Sequence, residues 1–447
     1  MTTFWCEYAW LPEAETAISA PRARVRITVE GGRIVSVEAG TDAAPGDHRL
    51  PGLVLPGFAN AHSHAFHRAL RGRTPERGGS FWTWRRQMYA VAERLDPDSY
   101  LGLARATYAE MALAGVTCVG EFHYLHHPGG GGRYADPNAM SEALVQAAAD
   151  AGVRLTLLDA CYLSGGLGAD GHLPLDDVQV RFSDGDPDAW AQRRSLLPER
   201  AGLRIGAAAH SIRAVPFEQL RGVVTAAAGG PLHVHLSEQR AENEACTAFY
   251  GRTPTELLRE AGFLGPDTTA VHATHLTAAD VSALGGSGTA VCACPSTEAD
   301  LADGVGPFRR LRDAGSPLCL GSDQHSQIDL LGEARLMAAH EQLVTGERGA
   351  FPPAELVDAL TADGHRSLGW SDAGILAVGQ RADLVAVRLD SARTAGCPPD
   401  QLVPTATAAD VHTVVVDGRV IVADGQHVLG DVGRLLADAI EPLWRNA

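Results

Sequence analysis

The chain has 447 residues, 45% hydrophobic and 20% charged, with a formal net charge of −17. That balance describes a large globular protein and argues against nucleic acid as a partner. It contains no lysine, so all 37 basic residues are arginine; coding bias explains the skew, but it still excludes a Schiff-base lysine, a P-loop lysine and a carboxylated lysine bridging two metals.

No apolar run is long enough for a membrane span, no signal peptide is visible at Met1, and eight cysteines are too sparse for a disulfide framework. A cytoplasmic location is therefore expected. In chain order, residues 23–29 alternate apolar and polar, Glu30-Gly31-Gly32-Arg33 turns, and 34–37 alternate again, which predicts β structure at the start. Short apolar runs then alternate with helix-length stretches. The predicted strands are 53–59, 116–122, 153–160, 203–209, 231–236, 268–272, 289–294 and 317–321, the eight that a closed (β/α)8 barrel requires. One helix is expected to end at Ala114-Gly115 and another to start after Pro216. The long insertion carrying Phe81-Trp82-Thr83-Trp84-Arg85-Arg86-Gln87-Met88-Tyr89 is expected to shape a pocket. The glycines at 129–132 read as a loop and no phosphate cradle. Residues 382–387 look strand-like, and 414–416 and 420–422 flank Asp417-Gly418, a hairpin signal. The expected architecture is α/β: a TIM barrel over 52–375 beside a small β-sandwich built from 1–51 and 376–447, the latter ending in a helix.

Residues with metal and proton chemistry follow these runs. In His62-Ser63-His64 the imidazoles are two apart on an extended strand and so face the same way. Such a pair also arises by chance among 18 histidines. His233-Val234-His235-Leu236-Ser237-Glu238 adds a second pair, with His235 nearer the mouth and His233 packed deeper. Glu238 is placed to shuttle protons, or else is an acid at a helix N-terminus. Asp323 can bind a metal and accept a proton from water, or cap a loop. His272 can hydrogen-bond an attacking oxygen, or be a core histidine. Three histidines and a carboxylate suit one Zn2+ per subunit, with Fe2+ the other possibility. No bridging Glu or Cys occurs at 204–209 to hold a second ion.

Collected together, these segments resemble the amidohydrolase superfamily and, within it, the formimidoylglutamate deiminase family of histidine degradation. The resemblance spans nearly the whole chain. It rests on residues 56–66, Phe81-Trp82-Thr83-Trp84-Arg85, His210-Ser211-Ile212-Arg213, 235–238, His272-Ala273-Thr274-His275, Gly321-Ser322-Asp323 and 374–384. It implies that His62, His64, His235 and Asp323 hold one zinc, that Glu238 and His272 do acid/base and oxyanion work, and that Arg85, Tyr124, His210 and Arg213 line the substrate pocket of a homodimer. Where the family has a glutamine after the second metal histidine, this chain has His67, at a position implied to hold a substrate carboxylate. The implied reaction is hydrolytic deamination of N-formimino-L-glutamate, a dicarboxylate amidine, to N-formyl-L-glutamate and ammonia. A −17 protein repels such a substrate at long range, so fixed local charge is needed. Arg85 and Arg213 have the fork geometry that suits carboxylates, although either could be a surface ion pair. The rivals are an imidazolonepropionase or purine-type aminohydrolase of the same superfamily, and a catalytically inactive barrel used as a binding protein. The inactive barrel predicts a broken ligand position, and none is broken.

Overall fold

The computed structural model describes residues 1–12, 19–74 and 81–445; the side chains of Phe81 and Trp82, part of the predicted pocket insertion, lie outside the described residues. Eight parallel strands pair in chain order: β1 (Phe58–Ser63), β2 (Val116–His123), β3 (Arg154–Cys161), β4 (Leu203–Ser211), β5 (Leu232–Leu236), β6 (Thr268–His272), β7 (Ala290–Ala293) and β8 (Leu318–Leu320). Their near-continuous apolar sequences fit strands covered on both faces, and β2 and β3 are buried at every position. Backbone bonds join the last strand's exit to the first strand: Asp323 N–H donates to His62 O (3.1 Å) and His64 N–H to Asp323 O (3.2 Å).

The apolar run predicted as a strand at 53–59 serves two sheets. His48–Pro56 belongs to a second sheet, parallel to Thr2–Pro12 and antiparallel to Leu384–Val387, and the barrel begins at Phe58. Gly57 makes the handover: a Cβ there would lie 2.3 Å from Thr117 Oγ1 and 2.8 Å from Asp383 Cβ. Because both halves are buried, hydrophobicity alone carries no mark of the change.

The second sheet combines the N-terminal strands Thr2–Pro12, Ser19–Glu30, Arg33–Glu38 and His48–Pro56 with Leu384–Val387, Val411–Val416, Arg419–Ala423 and Gln426–His427. Asp417 (φ +47°) and Gly418 (φ +76°) form the predicted two-residue hairpin turn. The terminal helix Val432–Trp444 lays Val432 and Leu436 on Ala106 and Ala109 of the helix Pro97–Leu113. A buried ion pair joins the two sheets: Arg154 Nη1 of β3 donates to Asp383 Oδ1 at 3.0 Å, with the guanidinium over Trp370. All eight cysteines are unpaired. Among the described residues, no helix is long and apolar enough to cross a membrane.

Candidate active site

The strand ends deliver four side chains to one point. One donor atom each from His62, His64, His235 and Asp323 lies within 4.8 Å of the others, and all four residues are buried. His62 Nε2 and His64 Nε2 stand 3.3 and 3.4 Å from Asp323 Oδ1, and His62 Nε2 is 3.2 Å from His235 Nε2. Two tautomers are fixed from outside. His64 Nδ1 meets Phe122 O at 2.9 Å and His235 Nδ1 meets His210 O at 2.8 Å, so those nitrogens carry the protons and Nε2 turns a lone pair inward. Converging lone pairs and an anionic oxygen fit a divalent cation of the zinc type. Burial pushes the Asp323 carboxyl up, but His62, His272 and His64 outweigh it and hold it well below the ordinary carboxylate range.

Backbone strain concentrates at the same rim. Ser237, His272, Ala273, Asp323 and His325 all have positive φ, from +41° to +68°, in the left-handed region that non-glycine residues avoid. Each follows, or ends, β5, β6 or β8. The turn at Ser237 lifts Glu238 over the cluster. Glu238 precedes the helix Arg240–Tyr250 and leaves the first-turn acid position to Glu242. Its Oε1 is 3.9 Å from His272 Nε2, which is 3.7 Å from Asp323 Oδ2. His272 Nδ1 stands 3.4 Å from Glu298 Oε1. Burial works against a charged His272, but Glu298, Glu238 and Asp323 prevail and raise it to about 10, so the ring is a proton donor on the site side.

A cavity of about 220 Å³ opens above this cluster, and the residues expected at its walls line it: His67, Arg85, Tyr124, His210 and Arg213. Arg85 Nε donates to Tyr89 Oη (2.6 Å) and Nη2 to Gly165 O (3.2 Å). His67 Nε2 and Tyr124 Oη are 3.0 Å apart. Burial and the neighbouring His64 hold His67 neutral, so it offers a hydrogen bond and no full charge. The His210 ring lies edge-on to Tyr162 and Tyr124, at 4.7 and 5.3 Å between centroids. Arg213 Nη2 donates to Glu238 Oε2 at 3.0 Å, and its Nε is 3.3 Å from Glu242 Oε2. His233 sits deeper, as expected, with Nε2 3.1 Å from Ser367 O.

Sequence reasoning missed several wall residues. Glu242 had no signal, because Glu238 lies before the helix Arg240–Tyr250 and the two acids meet only through Arg213. Tyr89 lies within the insertion expected to shape the pocket, and Tyr162 had no signal; behind them Gln179 Nε2 donates to both tyrosine hydroxyls at 2.9 Å, a contact between three segments. Among the described residues a second group, His123, His126 and Asp159, could also hold a metal. Its carboxylate is already engaged by Arg193 (2.8 and 2.9 Å) and Trp190 Nε1 (2.7 Å), so a cation there would face a guanidinium. A third, His272, Cys294 and Asp323, shares its aspartate with the main cluster.

A barrel that gathers three imidazoles and a carboxylate at its C-terminal rim, in a group that could hold a divalent cation, is the architecture of a hydrolase. The chain belongs to the amidohydrolase family, whose sequence profile matches residues 53–421. Formimidoylglutamate deiminase of Pseudomonas aeruginosa is 37% identical over 94% of this chain and 94% of its own. The crystal structure of an amidohydrolase from Brucella melitensis superimposes with a TM-score of 0.91 at 32% identity, covering 99% of this chain and 100% of that one. An adenosine deaminase from Xanthomonas campestris, solved with bound zinc, shares the fold, with a TM-score of 0.83 at 24% identity over 99% and 97% of the two chains.

Proposed function

We propose that this chain hydrolyses N-formimino-L-glutamate to N-formyl-L-glutamate and ammonia. The observation that carries the reading is the 37% identity to formimidoylglutamate deiminase along 94% of both chains. The pocket chemistry agrees: two arginines, Arg85 and Arg213, flank one cavity whose floor is the His/Asp cluster. In this reading His62, His64, His235 and Asp323 hold one Zn2+, or Fe2+, per subunit. The ion would supply Lewis-acid activation of water and of the amidine carbon.

The remaining steps fall to the chain's own residues. Asp323, kept ionised by its histidine neighbours, accepts the proton released as water adds across the C=N bond. The His272 N–H donates to the oxygen that develops negative charge at that carbon. Glu238, between His272 and Arg213, takes the proton of the added hydroxyl as it becomes the carbonyl and passes it to the departing nitrogen, to which Asp323 also returns the proton it accepted. The C–N bond breaks, ammonia leaves, and the carbonyl of the formyl product remains. Arg85, Arg213, His67, Tyr124 and His210 orient the two carboxylates and hold the amidine over the cluster.

Trp84, Tyr89, Tyr124 and Tyr162 also line the cavity, and such aromatic walls favour a second reading, a purine-type aminohydrolase. Ammonia release from N-formimino-L-glutamate, guanine and adenosine separates the two. Turnover of the linear amidine alone is expected, and turnover of a purine alone would sink the proposal. A homodimer in the reducing cytoplasm completes the reading; the eight unpaired cysteines support the compartment, and sedimentation measures the oligomer.

A further inference from the structure

Arg213 is divided between two carboxylates. Its Nη2 donates to Glu238 Oε2 at 3.0 Å while its Nε lies 3.3 Å from Glu242 Oε2. All three line the same cavity, and both glutamates are buried. Glu242 lies in the first turn of the helix Arg240–Tyr250, just after the strained turn (Ser237 φ +50°) that aims Glu238. A buried guanidinium facing one carboxylate forms a closed pair. Facing two, it commits fully to neither.

We propose that Glu242 is a positioning residue that shares Arg213 with Glu238, anchoring the guanidinium at the pocket wall and leaving the Glu238 carboxylate available to move a proton. This rests on the reading above, in which Glu238 transfers the proton and Arg213 receives a substrate carboxylate. When that carboxylate arrives, Arg213 turns toward it from Glu238 while remaining tethered to Glu242. Glu242 itself is outside the cluster of metal-ligating side chains.

The test is Glu242→Gln, which keeps shape and removes charge. With the second carboxylate gone, Arg213 closes on Glu238 and presents a less compensated charge to the cavity. For N-formimino-L-glutamate, kcat is expected to fall about tenfold while KM stays the same or drops. Glutarate, a dicarboxylate that cannot react, is expected to bind about threefold more tightly by calorimetry. A merely structural role would raise KM or lower the melting temperature without that gain. In an Arg213→Met background, where both charges can be removed together, Glu242→Gln is expected to add nothing to the loss in kcat. Unchanged kcat and unchanged glutarate affinity in Glu242→Gln, or full additivity with Arg213→Met, would overturn the proposal. Wild-type turnover separately tests the proposed reaction: glutarate affinity reads the sharing of Arg213 whatever the substrate proves to be.

Discussion

Glu238 stands where three influences meet: Arg213 at 3.0 Å, His272 at 3.9 Å, and the left-handed turn at Ser237 that points it over the cluster. It is outside the set of converging donor atoms, so Glu238→Gln is expected to leave metal content unchanged and lower kcat by about 10²–10⁴-fold. Metal analysis beside steady-state rates checks this, and a near-normal rate would remove Glu238 from proton transfer. Histidines 62, 64 and 235 and Asp323 were readable from sequence because each ends an apolar run, and a strand end in a barrel has one place to point. Glu242 and Gln179 were not read, because their roles depend on partners brought close by folding. At His67, where the family has a glutamine, burial and the neighbouring His64 hold the ring neutral, so it brings a hydrogen bond and no full charge.

At the scale of elements, the strand ends are where propensity and function disagree. Five non-glycine residues with positive φ cluster after β5, β6 and β8, and no local pattern announces them because the strain is imposed by the packed barrel. Gly57 is the opposite case, a position where the element needs the smallest residue. It passes the chain from the second sheet into β1, its N–H donating to Asp383 O at 3.1 Å. Gly57→Ala would drive a methyl into Thr117 and Asp383, so a loss of about 1–3 kcal/mol is expected from overpacking. Denaturant melts read this directly, and a wild-type midpoint would show that the junction can relax. The 53–59 run illustrates why the sequence did not show the handover: buried strands in adjacent sheets look alike, and only the partner identifies the sheet.

At the scale of the whole molecule, the pH dependence of stability should carry the mark of a buried acid outside the pocket lining. Glu333, in the first turn of the helix Leu330–Thr345, accepts from the Ser296 N–H at 2.8 Å and from its hydroxyl. Burial raises it to about 8, against the opposing pull of those bonds. The folded state thus binds this proton more tightly than the unfolded chain, where a glutamate titrates near ~4.3. Its contribution is full below that value and is lost as pH rises through about 8, at about 1.4 kcal/mol per pH unit in between. Glu333→Gln cannot ionise, so its melting temperature should fall less steeply than wild type between pH 5 and 8. Parallel slopes would mean that Glu333 ionises freely in the folded protein.

The order of elements and the residue types at their ends were written in the chain itself. Eight apolar runs spaced by helices set a barrel, and His, Glu and Asp after those runs set a hydrolytic site, because both follow from local spacing and side-chain chemistry. What needed three dimensions was the set of distances between segments far apart in sequence. Those include the 3.2 Å between His62 and His235, the sharing of Arg213 by two glutamates, and the handover of the 53–59 run from one sheet to the other at Gly57. Such contacts exist only once long-range packing has closed the barrel, and burial then sets which of the gathered groups carry charge.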